Sequence, residues 1–311
     1  MRMTPTVRVV GMCLLAGALT IAARSATAFE GLTPYMPGVS VGSAAGALPP
    51  PGTYFADDNV FISGGARNNT GGNVPVNVWL DVQIPSVLWV PNVQFLGATY
   101  AMAIIQPYVF KGVDATGAGG RATISNGAFN TIISPINLSW NLNNGFFLGA
   151  GLGIYLPDGY YQHQTNPATG KVTVGQASIA NDFWTFEPGV AVSYLQGGWN
   201  LTLHGVVDVN TIDGPTNYQS GDLFYIDATA AKTIGKWTVG AGGNFTQQFT
   251  NDTVGGAPVN GNGSKVQHVL LGPLVGYNFG PAEIDAKWLI GVHAENDANV
   301  SFFHLSFSFP F

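Results

Sequence analysis

The last thirteen residues, NVSFFHLSFSFPF, place Phe303, Leu305, Phe307, Phe309 and Phe311 at every second position, with His304, Ser306 and Ser308 between them. A period of two puts one set on each face of a β-strand. Five large apolar groups on one face suit a strand whose outer side meets lipid. The same alternation recurs upstream. Trp199, Leu201, Leu203, Gly205, Val207 and Val209 alternate with Asn200, Thr202, His204 and Asp208, and Ile284, Ala286, Trp288, Ile290 and Val292 alternate with Glu283, Asp285 and Lys287. Ile132, Ile136, Leu138, Trp140 and Leu142 alternate with Asn137, Ser139 and Asn141 in the same way. None of these stretches sustains an apolar stripe at helical spacing. The pattern predicts strands over 53–63, 74–89, 94–109, 128–142, 146–156, 182–195, 199–209, 218–233, 237–249, 265–279, 282–292 and 299–311.

The connections alternate in length. Pro91-Asn92, Asn143-Asn144-Gly145, Gln196-Gly197-Gly198, Gly235-Lys236 and Gly280-Pro281 read as short turns, while 64–73, 110–127, 157–181, 210–217, 250–264 and 293–298 are longer and polar. Short periplasmic turns and longer external loops are the mark of an outer-membrane barrel. The expected fold is therefore all-β: a single antiparallel transmembrane barrel of about twelve strands over residues 53–311, with both chain ends on the periplasmic side. The strand at 94–109 is apolar on both faces, so its inward side is expected to meet something inside the barrel. Gly149, Gly151 and Gly153 share one face of their strand and either leave room inside or are simply tolerated there.

Composition agrees with this class. Only 9% of residues are charged, 12% are aromatic and 42 are glycine, against the usual quarter charged in soluble domains. The N-terminus carries Arg2 and Arg8, an apolar run from Val9 to Ala23 and a small-residue site at Ala26-Thr27-Ala28, as a signal peptide does. Cleavage after Ala28 would remove the lone Cys13 and leave eight Lys and Arg against 17 Asp and Glu, an acidic chain without disulfides and ill suited to nucleic acid. Residues 29–52 lack a periodic pattern and are expected as a periplasmic tail or a lumen plug. Pro49-Pro50-Pro51 stiffen the entry to the first strand.

The segment GALPPPGTYF (46–55), together with DFWTFEPGVAVSYL (182–195), YQSGDLFYIDATAAKTIGKWTVGAGGNFTQQFTND (218–252) and LGPLVGYNFG (271–280), resembles the meta-pathway phenol-degradation family of outer-membrane proteins. The resemblance implies a single barrel in the bacterial outer membrane and an uptake role for aromatic or other hydrophobic compounds. The aromatic C-terminal residue Phe311 also resembles the signal read by the outer-membrane assembly machinery.

No motif for covalent chemistry stands out. There is no HExxH and no G-x-S-x-G, and the five histidines are scattered. No catalytic, metal or cofactor site is therefore expected. Candidate lumen groups are Asp81, Glu187, His204, Asp208, Asp227, Glu283, Asp285, Lys287 and His304, each either lining a path or pairing with neighbours. In the loop at 157–181, Tyr160, Tyr161, His163 and Gln164 are candidates for external capture, against a merely solvated loop. The expected function is passage of small hydrophobic or aromatic molecules. The alternatives are a non-conducting structural or surface-interaction barrel and an outer-membrane hydrolase.

Overall fold

The computed structural model describes residues 30–280 and 282–310. The expected signal peptide, Cys13, Pro281 and the terminal Phe311 lie outside the described residues. In chain order the strands are β1 (Gly52–Arg67), β2 (Asn73–Val90), the two-residue β3 (Gln94–Phe95), β4 (Ala98–Ile105), β5 (Tyr108–Asp114), β6 (Ala122–Ala128), β7 (Ile132–Asn141), β8 (Phe146–Tyr155), β9 (His163–Thr165), β10 (Val172–Val174), β11 (Thr185–Tyr194), β12 (Trp199–Asn210), β13 (Tyr218–Gln219), β14 (Leu223–Ile234), β15 (Trp237–Gln248), β16 (Thr253–Val254), β17 (Ala257–Pro258), β18 (Gln267–Asn278), β19 (Glu283–Glu295) and β20 (Ala298–Pro310).

Twelve of these close a ring: β1, β2, β4, β7, β8, β11, β12, β14, β15, β18, β19 and β20, each antiparallel to the next. The last pairs with the first from Tyr54 opposite Pro310 to Ala66 opposite Ala298. Each of these twelve strands is thus paired on both sides, as hydrocarbon requires. The outer face carries the predicted apolar positions, among them Phe303, Leu305, Phe307, Trp288 and Leu203, all exposed. Aromatic rings cluster at the short-turn end, where Phe146 packs on Tyr194 and Trp237 on Tyr277, as expected of an interfacial girdle. The Asn143-Asn144-Gly145 turn holds three successive positive φ values, a conformation open mainly to Asn and Gly.

The region 110–127, expected as an external loop, is instead two strands joined through residues 115–121, which hold a short 3-10 helix at Thr116–Ala118. β5 and β6 pair with each other, and β5 continues on the outer half of β2 from Asn77 opposite Asp114 to Gln83 opposite Tyr108. The third wall strand is therefore β4 plus β5, interrupted at Gln106-Pro107. Proline has no N–H for the ladder. The Gln106 side chain fills in, donating to the Phe129 carbonyl at 3.0 Å, while its backbone N–H reaches the Pro85 carbonyl at 3.1 Å.

Residues 30–51 lie inside the ring. They start beside the external connections, where Glu30 accepts from Thr216 Oγ1 and its backbone N–H donates to Ser220 Oγ. They finish at the short-turn end, where Pro49–Pro51 lie against Pro91–Gln94. Residue 30 is thus at the opposite end of the barrel from the start of β1. The expectation that both chain ends are periplasmic falls on residues before 30 and on Phe311, which lie outside the described residues.

Candidate functional site

A chain segment without helix or strand carries backbone groups that need partners once water is excluded. Residues 30–51 find theirs on one side of the barrel. Asp227 of β14 accepts the Gly38 N–H (3.1 Å), the Tyr35 hydroxyl (2.7 Å), and the N–H and hydroxyl of Ser40 (3.1 and 2.8 Å). Asp208 of β12 accepts the Tyr35 N–H and the Tyr225 hydroxyl, and the rings of Tyr35 and Tyr225 pack at 4.8 Å. Lys287 Nζ donates to the carbonyls of Val39 and Val41, both at 2.6 Å. Lower down, Ser139 Oγ donates to the Gly46 carbonyl and the Gly46 N–H to Ser193 Oγ, both at 2.9 Å. A Cβ on Gly149 would stand 2.8 Å from the Ala45 carbonyl oxygen, so the bare backbone of β8 admits the segment there.

The other side of the lumen stays open. Between residues 32–48 and the wall of β2, β4, β5 and β7 runs a cavity of about 920 Å³. Val76, Val78, Leu80, Val82 and Ile84 of β2 line it along one edge, with Ile105, Val109, Val113, Phe129 and Phe302 around them and Leu32 and Met36 closing the inner side. It reaches from Gly175, Gln176 and Ser178 of the external loop to Ser86, Leu88 and Ala103 near the short turns. Six charged side chains lie along its wall: Glu30, Asp58, Lys111, Arg121, Glu187 and Asp297. Lys111 is turned aside, donating to the Ser178 carbonyl, and Asp58 is bonded to His304 Nε2 at 2.7 Å. The lumen is thus divided into a polar half that grips the N-terminal segment and an apolar half of ligand-pocket size.

The sequence-predicted residues fall into three groups. Asp208, Asp227, Lys287 and His204 meet the N-terminal segment, His204 Nδ1 lying 2.9 Å from Ser40 Oγ. Glu187 accepts from Tyr155 OH at 2.6 Å and lines the cavity, while His304 pairs with Asp58. Glu283 and Asp285 share the strand face of Lys287 nearer the short turn and touch neither the segment nor the cavity lining. Asp81 corrects the expectation outright. It stands opposite Phe61, which is 47% exposed, while its neighbours Leu80 and Val82 line the cavity. It therefore faces outward, between the exposed Trp79 and Trp89, and its Oδ1 has no partner. Asp57, Asn59 and Gln83 share that outward face of β1 and β2.

The four loop residues form no common capture surface. Tyr160 packs over Gly127 of β6, and its hydroxyl accepts from Gln162 Nε2. Tyr161 donates to Asp213 Oδ2 at 2.6 Å, and Gln164 is exposed on the β9–β10 hairpin. His163 packs its ring on Tyr161 and faces Asp182 and the same Asp213. Beside Asp213, burial and that neighbouring carboxylate push the Glu30 acid up to about 8. Sequence reasoning missed Tyr35, Gly38 and Ser40, which carry no periodic signal. It also missed the cavity wall of β2, whose alternation was legible but whose inward face was not.

The barrel superposes on the crystal structure of the COG4313 outer membrane channel from Pseudomonas putida F1 with a TM-score of 0.73 at 14% identity, over 89% of this chain and 100% of that one. The beta domain of the Bordetella autotransporter BrkA follows at a TM-score of 0.50 and 12% identity, over 84% of this chain and 100% of that one. At these identities the likeness concerns the fold. No curated protein matches the chain in sequence. The family model described as "Putative MetA-pathway of phenol degradation" matches residues 63–307, and the chain, a closed barrel with a divided lumen, belongs to that family.

Proposed function

We propose that this protein is a bacterial outer-membrane channel that passes small, neutral, hydrophobic molecules of about the size of a single aromatic ring. The apolar half of the lumen carries this reading, because a cavity of about 920 Å³ walled by valine, leucine and isoleucine offers little to ions or sugars. Residues 30–51 act as a plug that narrows the lumen to this apolar path. The family description, which points to phenol degradation, and the outer-membrane channel among the similar structures both support it.

A hydrolase is disfavoured. Ser40, His204 and Asp227 lie together, but Asp227 contacts the serine hydroxyl at 2.8 Å, whereas a catalytic triad needs the carboxylate on the imidazole. The test is entry of phenol into proteoliposomes whose outer leaflet contains lipopolysaccharide, which slows passive permeation. Wild-type protein should accelerate entry over protein-free vesicles, and Val82→Trp, which fills the cavity, should remove the acceleration. Equal entry into vesicles with and without protein would sink the proposal.

A further inference from the structure

Three segments distant in sequence meet at the outer mouth. His163 opens β9, Asp182 lies just before β11, and Asp213 sits in the connection between β12 and β14. His163 Nε2 is 3.6 Å from Asp182 Oδ2 and 3.7 Å from Asp213 Oδ1, and the ligand atoms of all three lie within 4.8 Å of one another. These separations are too long for hydrogen bonds. They are close to the roughly 3 to 3.5 Å between neighbouring ligands of one ion bound at about 2.0–2.2 Å.

The surroundings have the form of outer support for such an ion. Asp213 is fully buried; the Tyr161 hydroxyl holds its Oδ2 at 2.6 Å, while Oδ1 accepts the Thr216 N–H at 3.4 Å and faces His163. The Tyr161 ring packs edge-on to the imidazole at 4.7 Å. Groups that fix a ligand's orientation in this way are a regular part of metal sites. Charge points the same way. The Glu30 carboxyl lies within hydrogen-bond reach of Asp213, so four acidic or imidazole groups gather at this mouth. No Lys or Arg forms an ion pair with these acids among the described residues, where the ion pairs all use a histidine. Asn181, next to Asp182, is 2% exposed, and its Oδ1 has no partner and comes up against the backbone of Gly31, next to Glu30.

We propose that His163, Asp182 and Asp213 bind one divalent cation of the Zn²⁺ or Mn²⁺ class, with Glu30 as a fourth ligand that ties the outer end of the N-terminal segment to two external loops. One imidazole among carboxylates favours these ions over Ca²⁺ and Mg²⁺, which prefer an all-oxygen shell. The proposal is independent of what the lumen passes.

Its test is isothermal titration of the full-length folded protein in detergent with ZnCl₂, and separately with MnCl₂, at pH 7.5. One ion per chain is expected. His163→Ala and Asp182→Asn should each weaken binding at least tenfold, while His293→Ala, which removes the exposed His293–Glu295 pair at 3.3 Å, should leave it unchanged. Heat-modifiable gel migration reports that each variant is folded. Hydrogen exchange of residues 30–36 should slow at least tenfold at saturating ion, and Glu30→Gln should remove that slowing. Absence of saturable binding, wild-type affinity in His163→Ala, or an equal loss in His293→Ala overturns the site. Binding without slower exchange overturns the role of Glu30.

Discussion

Asp227 is the strongest single hold on the N-terminal segment, so Asp227→Ala should open the lumen. The carboxylate is 2% exposed and accepts four hydrogen bonds from the segment at 2.7 to 3.1 Å, plus one from Asn244. Hydrogen bonds to a carboxylate contribute about 1.5–3 kcal/mol each. Four bonds on two oxygens are not additive, and Tyr35 and Ser40 can recover part of the loss through water, so a net cost of about 3–5 kcal/mol is reasonable. At about 1.4 kcal/mol per decade, the ratio of docked to undocked segment should fall on the order of a hundred- to several-thousand-fold. Planar-bilayer recording would read this as a higher fraction of open time, and liposome swelling as entry of neutral sugars that the wild type excludes. Exchange at residues 35–42 should rise in parallel. If open fraction, swelling and exchange all match the wild type in a correctly folded variant, then Asp227 does not hold the segment, and the polar half of the lumen has been misread.

Three further outcomes follow from particular contacts. Gly149→Leu places side-chain atoms where the Ala45 carbonyl and Gly46 Cα now lie, within about 3 Å of a Cβ; it should expel the lower part of the segment and raise conductance, and recordings at wild-type levels would count against that close approach. With chelator present, the outer end of the segment should loosen as pH rises. The Glu30 acid has a folded value of about 8 against an ordinary 4.5, so the docked form holds a proton the free form loses, and docking weakens progressively from about pH 4.5 to pH 8; exchange at residues 30–36 measured across this window should accelerate, and Glu30→Gln should flatten the dependence. Asp81→Leu removes an outward carboxylate whose Oδ1 has no partner; urea unfolding from lipid vesicles should show a gain of about 1–2 kcal/mol with phenol entry unchanged, and a loss of stability would mean that Asp81 has a partner in the membrane.

The aromatic C-terminal strand shows how far pattern carries. Its period of two, its exposed Phe303, Leu305 and Phe307, and its pairing with the first strand all follow from local alternation and from the even count of strands needed to close a ring. The Asn143-Asn144-Gly145 turn was equally readable, because few residues tolerate its backbone. Of the candidate site, His204, Asp208, Asp227 and Lys287 could be placed on the inner face, since their strands carry large apolar groups on the other. What each of them holds could not be read, because their partners in residues 35–41 lie more than 150 positions away.

The second strand marks the boundary between the two kinds of information. Val76, Val78, Leu80, Val82 and Ile84 alternate as cleanly as any lipid-facing set, and Asp81 and Gln83 fill the places between. Alternation fixes that two faces differ. It is silent on which one meets lipid, because a greasy face is stabilised equally by hydrocarbon outside and by an apolar cavity inside. Sequence alone therefore determined the class, the strand count and most strand positions. Only the closed barrel, with its N-terminal segment gripped along one side, decided that the apolar face of β2 turns inward and that the lumen has an apolar half.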